Sequence, residues 1–381
     1  MTNVFVLDMW MPTPDRDGAS LRITNLLAIM AEMASNITFA ADAPTHWRDS
    51  VRHMQAAGLE VINGEEAIKT HLQEKGHTYD LAFLSRVPAA SKYIELVKKL
   101  APQARVVFDT TDLKFLRGLR GAKVTNNVNL LKQALQSKKD ELTVAQQADI
   151  TLVVSPVEKE ILEKEDPGIN VQIISLIHQV YGSTTPWMKR AGLLFVGAFP
   201  HHPNEDGMCY FCREIHPHLA EKLGQVPIYI IGSNPPDWLM GFKGDNIHVL
   251  GYVPDVAPYL KQCRLSLAPL RYGAGIKSKV LLSLSYGLPV VASSIAAEGI
   301  PVLDGRDILL ADDAEWFAQC VTDLYQNEKL WQQLSNYGPR IVAEHFSFSA
   351  AREGLTQLFK SLDLPLQVEQ SLDERQVSLA V

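Results

Sequence analysis

Short apolar runs of strand length alternate with helix-spaced patterns along almost the whole chain, and this restricts the fold more than any other feature. The runs are Val4–Leu7, Ile37–Ala40, Leu81–Leu84, Val106–Asp109, Thr151–Ser155 and Val171–Ile174 in the first half. Leu193–Val196, Ile228–Ile231, Ile247–Leu250, Leu265–Pro269 and Val290–Ala292 follow in the second. Strands separated by helices pair in parallel, and their sheets are covered on both faces. The polar, turn-rich Tyr181–Trp187 is the expected seam. It divides an α/β chain into a first domain over residues 1–185 and a second over 186–345, with a closing helix at 346–365 and a polar tail at 366–381. Two doubly wound domains result, and open sheets of this kind bind ligands beyond the carboxyl ends of their strands.

The composition fits that architecture and excludes several functions. A chain of 381 residues has room for two or three cores. A net charge of −7 argues against nucleic-acid binding. No apolar stretch approaches the roughly 18 residues of a membrane span, and no charged leader precedes Val4, so a cytoplasmic location is expected. Cys209 and Cys212 form a CxxC with His216 and His218 behind it. A metal or redox site is one reading; the other is a helix that turns small residues toward its core. No second ligand pair at finger spacing accompanies it, so no metal is expected. Ser155-Pro156-Val157-Glu158 has the form of a capping box.

The segment richest in chemistry is Arg271-Tyr-Gly-Ala-Gly-Ile-Lys-Ser-Lys279. It lies between the Leu265–Pro269 strand and a helix that carries Ile276, Val280, Leu281 and Leu284 on one face. Gly273 and Gly275 let backbone approach a ligand closely, and a helix start supplies N–H groups for phosphate. Lys277 and Lys279 are expected in the first helical turn, where the dipole favours anions by about 0.3–1 kcal/mol. A nucleotide diphosphate suits this loop; the alternative is a pair of solvated lysines.

This segment resembles the retaining glycosyltransferases of family four (glycosyl transferases group 1), among which Pro-Leu-Arg-Tyr-Gly-Ala-Gly-Val/Ile-Lys recurs. Leu194–Asp206, Ile230–Pro236, Gly251–Asp255, Met11–Arg22 and Phe108–Arg117 extend the similarity over roughly residues 3–350. The resemblance implies a GT-B architecture, with the two domains facing across a cleft and the closing helix returning to the first. It implies a nucleotide-sugar donor as substrate, no cofactor, no metal, and an acceptor that is a surface glycan or lipid-linked. On this reading Lys277, Lys279, Gly273 and Gly275 hold the diphosphate, and Arg271 either joins them or lies at the surface. Asn234 and Val253 end strands beside the base, and Glu298 lies near the sugar hydroxyls. His178 either touches the sugar or packs. In the first domain Asp109 or Asp112 orients the acceptor or takes its proton, or merely caps a loop. Asp17, Ser20, Arg22 and Lys114 line the acceptor side, with Arg22 meeting an anion or standing in solvent.

Departures from the family pattern point in a different direction. Ala274 and Leu282 stand where the family's two glutamates belong, and leucine cannot accept a hydrogen bond from a ribose. A family basic pair is replaced around Ala198, Phe199 and Asn204, and Lys114 stands where close relatives carry histidine. A deoxyribose or unusual nucleotide fits this pattern better. The alternatives are a degenerate module that binds glycan or a partner, and a sugar-nucleotide epimerase. From Leu113 to Lys139 there are seven basic residues and no acidic one. Such a segment suits peripheral contact with an anionic membrane or glycan, or is simply a solvated face.

Overall fold

The computed structural model describes residues 2–15, 17–34, 36–43, 48–242, 244 and 246–366. Two compact units emerge. Of the described residues, the first comprises those up to Leu119, Asn129–Ile177 and 348–366; the second comprises Arg120–Val128 and His178–Ser347.

In the first unit the strands are β1 (Asn3–Asp8), β2 (Asn36–Ala41), β3 (Glu60–Asn63), β4 (Leu81–Ser85), β5 (Arg105–Asp109), β6 (Ile150–Val153) and β7 (Val171–Ile173). They form one seven-stranded sheet in the order β3-β2-β1-β4-β5-β6-β7. Every pairing is parallel, with Val4 opposite Ile37 and Leu81, for example. Side chains alternate between faces at period two, as a pleated strand requires. Val4 and Val6 therefore join one core with Leu26, Ile29 and Phe83, and Phe5 and Leu7 join the other with Tyr93, Ile94 and Phe108. The closing helix, Phe348–Ser361, adds Ala351, Leu355, Leu358 and Phe359 to the first of these cores.

The second unit repeats the plan. β8 (Leu193–Val196), β9 (Ile228–Ile231), β10 (Ile247–Gly251), β11 (Leu265–Ala268), β12 (Val290–Ala292) and β13 (Leu309–Leu310) run in the order β10-β9-β8-β11-β12-β13. Phe195, Ile230, Leu267 and Val291 fill one side, and Leu194, Ile231 and Leu288 fill the other.

The sequence reading missed β3 and β13, and both lie at sheet edges. β3 is half-exposed Glu-Val-Ile-Asn and β13 is two residues long, so neither makes an apolar run. The division between the units also falls earlier than the expected seam. Arg22 holds the carbonyls of Ile174 and Ser175 in the first unit, at 2.7 and 3.3 Å. The N–H groups of Tyr181 and Gly182 bond Ser285 O in the second, at 2.9 and 2.8 Å. Of the expected tail, residues 367–381 lie outside the described residues.

The Ser155 cap forms. Ser155 Oγ accepts from the Glu158 N–H at 3.3 Å, while Glu158 accepts from the N–H groups of Val154 and Leu113. Glu141 does the same one step on, accepting from the Phe115 N–H at 2.8 Å. Two buried glutamates thus fix the start of the Lys114–Thr125 helix. Burial pushes the Glu141 carboxyl up to about 8 from 4.5. Between those values the folded chain keeps a proton that the unfolded chain has released, so this group's contribution to stability falls as pH rises through the window. Glu141→Gln removes the titration. In thermal melts from pH 5 to 9, the variant should gain on the wild type as pH rises.

Candidate functional site

At the switch point of the second sheet, between β8 and β11, residues that follow β8 and β12 meet the start of the Ser278–Ser285 helix. This corrects one expectation. Lys277 is the N-cap, with extended backbone at φ −86° and ψ 100°, and does not lie in the first turn. A side chain at the cap can curl back over the loop it closes. Lys277 Nζ donates to Gly275 O at 2.8 Å and lies 3.9 Å from Glu298 Oε1. Gly275 has φ +63°, a conformation that residues with a Cβ rarely adopt.

Lys279 enters the helix, and its ammonium is enclosed. It donates to Asn204 Oδ1 and stands over the Phe195 ring at 4.2 Å from the centroid. Asn204 is itself anchored by donating to Ala198 O at 2.7 Å. A Cβ on Gly197 would come within 2.6 Å of this ammonium, so glycine is what leaves it room. Burial pushes the Lys279 pKa down to about 7 from 10.5. Asn204 is a neutral partner, so no carboxylate is paired with this lysine there.

Glu298, beyond β12, is held by a residue the sequence reading did not place in the site. Arg120 grips both its carboxylate oxygens, at 2.7 and 2.8 Å, and reaches Gly273 O at 2.8 Å. Arg120 is one of the seven basic residues between Leu113 and Lys139, and nothing local to it names Glu298 as its partner.

His178 is buried, with Nε2 3.2 Å from Ser278 Oγ, and burial pushes its pKa down to about 4. It is neutral near pH 7 and braces the helix start. Arg271 is a surface residue, paired with Asp206 and stacked on Tyr210. Asn234 is exposed at φ +51°. Val253 packs with Leu282 around Leu194, Ile231 and Leu288. Leu282 thus packs against an apolar cluster and offers no group that accepts a hydrogen bond.

In the first unit the carboxyl ends of β1, β4 and β5 gather a second cluster, which revises several acceptor-side expectations. Asp109 is wholly buried and paired with Arg22 at 2.6 Å, so its carboxylate ties strand β5 to the first helix and is withdrawn from proton transfer. Arg22, 1% exposed, neither awaits an anion nor stands in solvent. Asp17 caps the Gly18–Met33 helix, accepting from Ser20 N at 2.8 Å and Ser20 Oγ at 2.6 Å. Asp112 pairs with Arg117, and Lys114 is exposed.

Asp8 and Arg86, absent from the sequence reading, join this cluster. Arg86 Nε lies 3.0 Å from Asp8 Oδ1, and its guanidinium lies over Trp10. Burial raises the Asp8 carboxyl to about 6, against the lowering effect of Arg86. Arg86 has φ +67°, a costly backbone for a bulky residue, and that dihedral was one signal no side-chain pattern could carry.

The CxxC resolves as a helical feature. The His202–Tyr210 helix runs into a π-helical turn at Phe211–Ile215, and Cys212 packs beside Met208, Phe211 and Ile215. Among the described residues no group of three or more His, Cys, Asp or Glu is placed to hold a metal ion. No described helix is long and apolar enough to cross a membrane.

Comparison with known proteins places this geometry. Residues 190–327 match the family model described as Glycosyl transferases group 1. An "Uncharacterized 44.6 kDa protein in cps region" of Klebsiella pneumoniae is 21% identical over 183 residues, which are 45% of this chain and 46% of that protein. The match therefore spans less than half of that relative. Among solved structures, Anabaena HepE in complex with UDP and glucose aligns with a TM-score of 0.74 and 12% identity, over 95% of this chain and 100% of that one. Sucrose-phosphate synthase from Thermosynechococcus elongatus aligns with 0.69 and 14%, over 95% and 99%. Staphylococcus aureus TarM in complex with UDP aligns with 0.71 and 10%, over 94% and 100%. At these identities the likeness is one of fold: the chain has the GT-B fold, with two parallel α/β sheets.

Proposed function

We propose that this chain is a glycosyltransferase that takes a sugar from a nucleotide-sugar donor and transfers it, with retention, to a surface glycan or lipid-linked acceptor. The observation that carries the reading is the enclosed Lys279 ammonium beside the Lys277 cap and the glycine loop. A half-buried lysine whose partners among the described residues are an amide and a ring gains most when an anion arrives. As the bond from sugar to diphosphate breaks, negative charge grows on the leaving group. Lys277, Lys279 and the helix-start N–H groups meet it without reorganising, the kind of stabilisation that dominates many enzymes. Glu298, braced by Arg120, presents carboxylate to sugar hydroxyls. The matched group 1 segment and the fold shared with UDP-binding proteins support the same reading.

Leu282 offers ribose hydroxyls no hydrogen-bond acceptor, so dTDP should bind at least as well as UDP. The test is thermal stability against UDP, GDP, ADP, CMP and dTDP. A ligand at about a hundred times its Kd should stabilise by roughly 2.7 kcal/mol, and Lys277→Ala should abolish the shift. A folded protein that responds to none of them would leave the non-catalytic module as the better account.

A further inference from the structure

We infer that the Val128–Gln147 helix is a docking face for an anionic bilayer surface. The basic segment expected to meet a membrane runs from Leu113 to Lys139, but in its first part the structure commits Arg117 to Asp112 and Arg120 to Glu298. The next helix is different. It buries Ala134, Ser137, Glu141, Val144 and Ala145. Its other side carries Val128, Leu131 and Leu135, which are 64%, 40% and 53% exposed. At 3.6 residues per turn these three, with exposed Lys132 and Lys139, fall within an arc of about 100°. Lys138 flanks the stripe on the far side, paired with Glu165 at 2.6 Å. Between Val128 and Lys139 there is no acidic residue, in a chain of net charge −7.

An aliphatic stripe edged by lysines has the pattern of a helix lying in a membrane interface. Apolar side chains enter the headgroup boundary, and each lysine beside an anionic surface adds roughly fivefold to affinity. A second copy of the chain is the weaker occupant. Three half-exposed aliphatics offer far less than the about 800 Å² per partner of a standard interface, and paired copies would set lysine against lysine.

The inference stands on the helix and not on the transferase reading, so the two can fail separately. The experiment is cosedimentation of the full chain with phosphatidylglycerol-containing vesicles and with pure phosphatidylcholine vesicles. Two variants accompany it, Leu131→Ser/Leu135→Ser and Lys132→Glu/Lys139→Glu, each with its melting temperature and nucleotide-induced shift measured. The wild type should bind the anionic vesicles only and release at high salt. Each variant should lose about tenfold or more in binding while keeping its melting temperature. Wild type that ignores anionic vesicles would overturn the inference. So would variants that bind as well as wild type, or a wild-type dimer that the leucine variant dissolves without any lipid binding.

Discussion

Lys279→Met should cost about 100- to 1,000-fold in kcat/KM for sugar transfer, and the unliganded protein should be no less stable for it. The two halves of this expectation share one cause. The Lys279 ammonium is buried against Asn204 and Phe195, and that burial holds its pKa near 7. A methionine fills the same space without a charge to desolvate, so the free protein is relieved while the proposed donor site loses its cation. Such a trade between stability and function is what a site residue shows and a packing residue does not.

Proton linkage gives a second readout of the same lysine. Below pH 7 it is already charged in the free protein. Above pH 7 it is increasingly neutral, and a diphosphate must recharge it. Binding at pH 8 should therefore be accompanied by proton uptake, measured by calorimetry in buffers of different ionisation enthalpy. In Lys279→Met that uptake should vanish. A variant that melts well below the wild type, or an uptake unchanged by the substitution, would remove Lys279 from the donor site.

The second large effect concerns stability alone. Asp109→Ala should destabilise the first unit by about 3–5 kcal/mol, because it strands a buried guanidinium. Arg22 spans Asp109, Ile174 O and Ser175 O, so one side chain joins the first helix, β5 and the segment after β7. Removing both charges, as in Arg22→Met with Asp109→Leu, should recover most of the loss, since a packed apolar pair need not be weaker than a buried ion pair. Denaturant melts of the two variants read this directly. A small loss in Asp109→Ala, with a large loss of transfer activity, would return Asp109 to a direct catalytic role.

These two residues also show where sequence reading reached and where it stopped. The strands that fill both faces of a sheet were legible because each is a continuous apolar run. β3 and β13 were not, because an edge strand has only one neighbour to satisfy and little to bury. The glycine loop was legible as the link from β11 to the Ser278–Ser285 helix because its signals are contiguous. The partners that define each charge were not. Asp109 lies 87 residues from Arg22, and Glu298 lies 178 residues from Arg120. Nothing in a local pattern distinguishes a solvated arginine from one the fold has neutralised. Lys277 fell one step outside the helix because the boundary is set by a backbone dihedral, not by side-chain spacing.

The measurement that bears most directly on the account is turnover of a panel of nucleotide sugars without added acceptor, followed by phosphorus NMR in wild type and Lys277→Ala. The account predicts that one donor of the panel slowly releases its nucleoside diphosphate in the wild type, with water as acceptor, and that Lys277→Ala abolishes the release. A folded wild type that leaves every donor intact and binds none of the diphosphates would contradict it.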